Sequence, residues 1–231
     1  MSTRYNPSIV SDNLVLYVDA ANTKSYPLVN ATWFDISRNG NDGTLSGPVF
    51  NSNFGGYFDF DGSNDQVSVP DTNDFTLGTN DFTMDFWGYM DSLPGSGNEY
   101  GMVGQDGIGS DQSTAIRWKN DGGTMKVIFI LGGLGSMEPA ASLPAGQWIY
   151  CACGRRSGTT FVNVNGVDIS TSSSFSGSLN NSTNPFYIGR SSFSSRYLDG
   201  RIAAVRFYVN GSLSEIQTKQ NYNAHKARFG I

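Results

Sequence analysis

Glutamate, histidine and cysteine are nearly missing from this chain. Its 231 residues hold three glutamates (Glu99, Glu138, Glu215), one histidine (His225) and two cysteines (Cys151, Cys153). Charged residues make up only 15%, well below the roughly 25% of an average globular protein. Each scarcity excludes something. A net charge of −5 with no basic run is not a nucleic-acid surface. Cys151 and Cys153 are separated by one residue, on the same face of a strand at a Cα separation of roughly 6–7 Å, which is poor disulfide geometry. They read as reduced, buried thiols acting as small hydrophobes. No apolar run reaches transmembrane length, and Met1–Pro7 has no signal-peptide character, so we expect no membrane insertion and synthesis in a cytoplasm.

What is there is aromatic, glycine-rich and periodic. Aromatic residues are 13% of the chain and there are 28 glycines. The most informative stretch is Phe58–Val69, where Phe58 and Phe60 share one face and Val67 and Val69 repeat the alternation after an Asp61-Gly62 turn. Phe82–Tyr89 is the clearest strand, with Phe82, Met84 and Phe86 on a core face and Trp87 and Tyr89 on a half-wet face. Asn120–Gly123, Arg155–Gly158 and Asn165-Gly166 read as hairpin turns. A helix is expected only near Leu213–Ile216, capped by Ser212 or Ser214 and stopped at Gly230. Strands then dominate, and the fold class is all-β: a two-sheet antiparallel sandwich with one short C-terminal helix. We expect one domain over residues 13–231, preceded by an N-terminal arm, residues 1–12.

Several fragments in order carry a family likeness. They are Leu14–Asn22, Trp33–Leu45, the Phe58–Val69 segment, Phe82–Tyr89, Phe161–Gly166, Ile202–Tyr208 and Leu213–Asn223. Together they resemble the laminin-G-like, concanavalin A-like jelly-roll family. Asp19–Asn22, Lys24–Pro27 and the Asn-Tyr-Asn-Ala to Arg-Phe-Gly-Ile terminus look most like standalone versions in tailed-phage virion proteins. The resemblance implies a non-enzymatic virion accessory protein, a capsid decoration or appendage on the virion surface. Its implied partners are capsid or tail proteins, other copies of itself as a homo-oligomer, and a cell-surface or environmental glycan. The alternative is a calcium-dependent carbohydrate-binding lectin domain.

Residue chemistry disfavours an enzyme. A glycoside hydrolase needs two carboxyls flanking the bond, and none of the three glutamates has a carboxylate neighbour at i±2 or i±4. Asp59, Asp61 and Asp65 read as lying near a turn, not along one strand face. His225 falls in the helix, without a nucleophile motif. The candidate glycan-binding residues are Trp87, Tyr89, Trp118 and Tyr100, by aromatic stacking; the competing reading makes them core. Asp61, Asn64 and Asp65 are the candidate calcium (Ca2+) ligands. We favour the plainer reading, that Asp and Asn here are turn formers.

Overall fold

The alternation along Phe82–Met90 sorts its side chains between two environments. Phe82, Met84 and Phe86 enter the main core between two sheets, while Trp87 joins a second apolar cluster on the outer face. The structure is a computed structural model describing residues 7–28, 31–107, 111–191 and 196–231. Met1–Asn6 of the expected arm lie outside the described residues.

Two eight-stranded sheets pack as the jelly-roll sandwich expected from the sequence, and every pairing is antiparallel. The first runs Val167–Ser172, Thr159–Val164, Ile149–Arg156, Phe82–Met90, Asp199–Val209, Tyr57–Asp61, Val49–Asn51, with Leu14–Asp19 also pairing to Asp199–Val209. The second runs Gly135–Met137, Thr124–Leu131, Thr114–Asp121, Glu99–Gly104, Phe186–Ile188, Gln66–Val69, Gly43–Ser46, Thr32–Trp33. The Phe58–Val69 segment therefore belongs to both sheets. Phe60 and Val67 meet in one core although they come from opposite layers. The Asp61–Asp65 turn carries the chain across the rim of the sandwich.

Asn165 (φ 51°) and Gly166 (φ 81°) take the left-handed conformations that a tight two-residue hairpin demands. The helix spans Glu215–His225 and is capped by Ser214, whose side chain accepts from the Gln217 N–H while Gln217 bonds back. A 3-10 turn, Lys226–Phe229, follows, and Gly230 ends it at φ 75°.

The half-wet face expected for Phe82–Tyr89 is mostly dry, because this C-terminal segment covers it. Phe229 and Tyr222 stack on Trp87 at 4.4 and 5.7 Å. Beneath the helix Arg206 pairs with Asp85 at 2.6 Å. Tyr150 Oη and Asn221 Nδ2 each donate to Asp85 at 3.0 Å. Within the arm, the Val10 N–H donates to Asn221 Oδ1 at 2.9 Å and the Val10 carbonyl accepts from Tyr208 Oη at 3.0 Å.

Candidate functional site

The four aromatic candidates separate. Trp87 and Trp118 are fully buried, Trp87 under the helix and Trp118 between the sheets. They do not share a sheet face and neither offers a ring to a ligand, because the hydrophobic effect has already claimed both surfaces. Tyr89 is half-buried; the Arg201 guanidinium lies 4.4 Å over its ring and Trp148 meets it edge-on at 5.7 Å. Tyr100 is half-buried in the strand Glu99–Gly104. It lines a cleft.

That cleft, about 390 Å³, is lined by Gly62, Pro94, Gly95, Asn98, Glu99, Tyr100, Arg196 and Tyr197. Three pieces build it. Gly62 comes from the rim turn, Pro94–Tyr100 from the connection into the second sheet, and Arg196 and Tyr197 from a small hairpin, Arg190–Ser191 paired with Arg196–Tyr197. The hairpin lies flat on the second sheet because Gly101 has no side chain. A Cβ there would sit 2.1 Å from the Ser191 nitrogen.

Electrostatics fix the floor. Arg117 donates to both oxygens of Asp106, at 2.7 and 2.6 Å, and to Oε2 of Glu99 at 3.0 Å. Arg196 donates to the same Glu99 oxygen, and Ser191 Oγ donates to Asp106. Burial works against the Arg117 charge, yet Asp106 and Glu99 outweigh it and hold its pKa above the usual value. Arg196 goes the other way, lowered by burial against the pull of Glu99. The Tyr197 ring carries Arg190 at 5.4 Å.

The proposed calcium ligands sit on the adjoining turn, where one oxygen each of Asp61 and Asp65 is taken by backbone N–H groups. Asp61 Oδ1 accepts from the N–H groups of Ser63 (2.9 Å) and Asn64 (3.4 Å), while Asp65 Oδ2 accepts from the Asp61 N–H at 3.0 Å. The Asp61 bond to Ser63 is Asx-turn geometry. No group of three or more His, Cys, Asp or Glu among the described residues converges as a metal cage. In a second loop, Asp111 accepts from Thr183 N–H and Asn184 Nδ2, both at 2.9 Å.

One reading of the carboxylates is corrected. Asp59 and Asp61 both lie in the strand Tyr57–Asp61, two residues apart and so on one face, with Asp199 paired directly to Asp61. With Asp65 they line a shallow depression of about 310 Å³ on the far side of the turn. Burial raises the pKa of Asp59 and of Asp65. Asp199 accepts from Ser92 Oγ.

Sequence reasoning found Tyr100 but missed Asn98, Glu99, Arg196 and Tyr197 as a constellation. Glu99 was noticed only for lacking a carboxylate neighbour. Its partners lie 18 and 97 residues away, beyond any local spacing rule.

The family model for Laminin_G_3, the concanavalin A-like lectin/glucanases superfamily, matches residues 61–219, more than half of the chain. Comparison with curated protein sequences returns no match. Among solved structures, domain 4 of AbnA, a GH43 extracellular arabinanase from Geobacillus stearothermophilus in complex with arabinotriose, is similar in fold. It aligns at TM-score 0.68 and 17% identity, covering 91% of this chain and 98% of that one. The binding domain of Paraclostridial Mosquitocidal Protein 1 aligns at TM-score 0.71 and 14% identity, over 93% of this chain and 52% of that one. Trypanosoma rangeli sialidase in complex with sialic acid aligns at TM-score 0.68 and 15% identity, over 95% of this chain but 34% of that one. At these identities the likeness is one of fold.

Proposed function

The chain belongs to the concanavalin A-like lectin/glucanases superfamily, and from that premise we propose that it is a non-enzymatic glycan-binding module displayed on a phage virion. The cleft carries the binding part. Two half-buried tyrosines, Tyr100 and Tyr197, stand beside Asn98, Glu99 and Arg196. Apolar ring faces next to a few fixed donors and acceptors are what sugar recognition uses. The similar arabinanase domain, bound to arabinotriose, supports the same reading.

The non-enzymatic part rests on the carboxylates. Glu99 is the only one lining the cleft among the described residues, and two arginines hold it, whereas glycoside hydrolysis needs a pair across the bond. Of the four aspartates lining the neighbouring depression, Asp61 and Asp65 accept from backbone N–H groups and Asp199 from Ser92 Oγ. The virion setting is supported by the sequence resemblance of Asp19–Asn22, Lys24–Pro27 and the C-terminal segment. Its partners there are capsid or tail proteins and further copies of itself.

A glycan array run with and without EDTA tests the binding. We expect binding that EDTA leaves intact and that Tyr100→Ala and Tyr197→Ala weaken. An empty array removes the glycan reading, and turnover of any bound oligosaccharide removes the non-enzymatic one. Co-purification with intact particles at fixed stoichiometry tests the virion setting.

A further inference from the structure

We infer that the cleft selects uncharged sugars and that Glu99 is its specificity-determining residue; this rests on the glycan reading above. The side chain of Glu99 is 13% exposed. Its Oε2 is doubly engaged, accepting from Nη1 of Arg117 at 3.0 Å and from Nη1 of Arg196. Its Oε1 has no hydrogen-bond partner among the described residues. That oxygen is open to solvent, so it takes its donor from water or from a ligand. In a cleft walled by two tyrosines, the donor that fits is a sugar hydroxyl. Two arginines on the other oxygen fix the carboxylate in place, so the acceptor is preorganised before the ligand arrives.

Charge sets the sign of the preference. Among the lining residues the formal charges of Glu99 and Arg196 cancel. The second guanidinium near the floor, Arg117, is committed bidentately to buried Asp106. Past Gly62 the rim continues into Asp61, Asp65 and Asp199, which line the adjoining depression. Two further cations lie nearby: Arg201, paired with Asp91 at 2.5 Å, and Arg190, which lies against the Tyr187 and Tyr197 rings and donates to Gln66 Oε1 at 2.5 Å. A uronate or sialate entering the cleft brings a carboxylate against Glu99 Oε1 and competes for an arginine that already has a partner. Like charges at such range disfavour one another. A neutral sugar meets neither penalty. It donates one hydroxyl to Glu99 Oε1 and can use a neighbouring hydroxyl to accept from the Asn98 amide.

The test compares matched pairs of oligosaccharides, each neutral member beside its uronic-acid or sialylated counterpart, titrated against the intact chain at about 0.15 M salt, where charges beyond roughly 8 Å are screened. We expect the neutral member to bind at least about tenfold tighter, the size of one lost charge-assisted contact. Glu99→Gln should weaken neutral binding by about tenfold and narrow the gap to the acidic member. Equal or tighter acidic binding by the unmodified chain overturns the inference. If Tyr197→Ala weakens that acidic binding, the glycan reading itself survives. Neutral binding unchanged in Glu99→Gln also overturns it, and an array with no ligand at all removes both readings. The matched-pair comparison needs no variant, so it decides the question even where Glu99→Gln lowers stability.

Discussion

Arg206 and Asp85 sit directly opposite one another on the two central strands of the first sheet, 2.6 Å apart, with neither side chain exposed. The pair lies under the C-terminal helix, where Asn221 and Tyr150 complete the Asp85 shell. Burial pushes the Asp85 carboxyl up even with Arg206 pulling it down, so the ion pair is sensitive to losing either member. Arg206→Met leaves an uncompensated buried carboxylate and should destabilise the fold by about 3–5 kcal/mol. Urea unfolding measures this. A loss below about 1 kcal/mol would show that the pair does not hold the helix to the sheet.

Buried and half-buried aromatics should give opposite phenotypes. Trp87→Ala empties the cluster against Phe229 and Tyr222 and should cost about 3–5 kcal/mol of stability. Tyr197→Ala should leave the melting temperature within a few degrees and weaken glycan binding by about 0.5–1.5 kcal/mol. Thermal melts paired with titrations separate the two. Tyr197→Ala melting as low as Trp87→Ala would place Tyr197 in the core instead.

Calcium should not matter. Asp61 and Asp65 already serve backbone N–H groups, and a ligand that does not bind the native state cannot stabilise it. The melting temperature in millimolar CaCl2 should equal that in EDTA to within about 1 °C. A rise of several degrees would restore a calcium site.

The single histidine gives a pH prediction with a clear sign. Burial first, then the charge of Arg206, lowers the His225 pKa from 6.5 to about 3. Arg206 Nη1 lies 3.3 Å from His225 Nδ1, with Asp19 3.9 Å from Nε2 and Arg228 on the far side of Asp19. As pH falls below about 6.5 the unfolded chain takes up a proton that the folded chain refuses. Stability from this residue is therefore complete above pH 6.5 and declines below it, by at most about 1.4 kcal/mol per pH unit. Buried carboxylates with raised pKa, Asp59 and Asp65 among them, oppose the trend nearer pH 4, so the clean window is about pH 6.5 to 5. The His225 proton resonances should not titrate there in the folded protein. A midpoint near 6.5 would mean the ring is solvated.

Gly101 should control the cleft from outside it. A Cβ would meet the Ser191 nitrogen at 2.1 Å and the Arg190 carbonyl carbon at 2.2 Å, both backbone atoms that cannot rotate away. Gly101→Ala should lift the hairpin bearing Arg196 and Tyr197, reducing glycan affinity by tenfold or more while the sandwich still folds. Circular dichroism and titration together check it. Unchanged affinity would uncouple the hairpin from the site.

Periodicity made the sandwich legible. The two-residue repeat of Phe82, Met84 and Phe86, the glycine-marked hairpins and the Ser214 cap are each set by local backbone physics, which operates within a few residues. The rim turn Asp61–Asp65 was readable for the same reason, since Asx geometry involves neighbours only. What local pattern could not say is which aromatic face stays open. Trp87 alternates outward as expected, but a helix more than 120 residues later in the chain covers it. Nor could it bring Glu99 to Arg196, 97 residues apart. Side-chain alternation, turn chemistry and capping act between near neighbours, so the layers, the turns and the cap follow from residue order alone. The cleft depends on long-range packing of a hairpin onto a bare glycine, so its place follows from contacts between segments far apart in the chain.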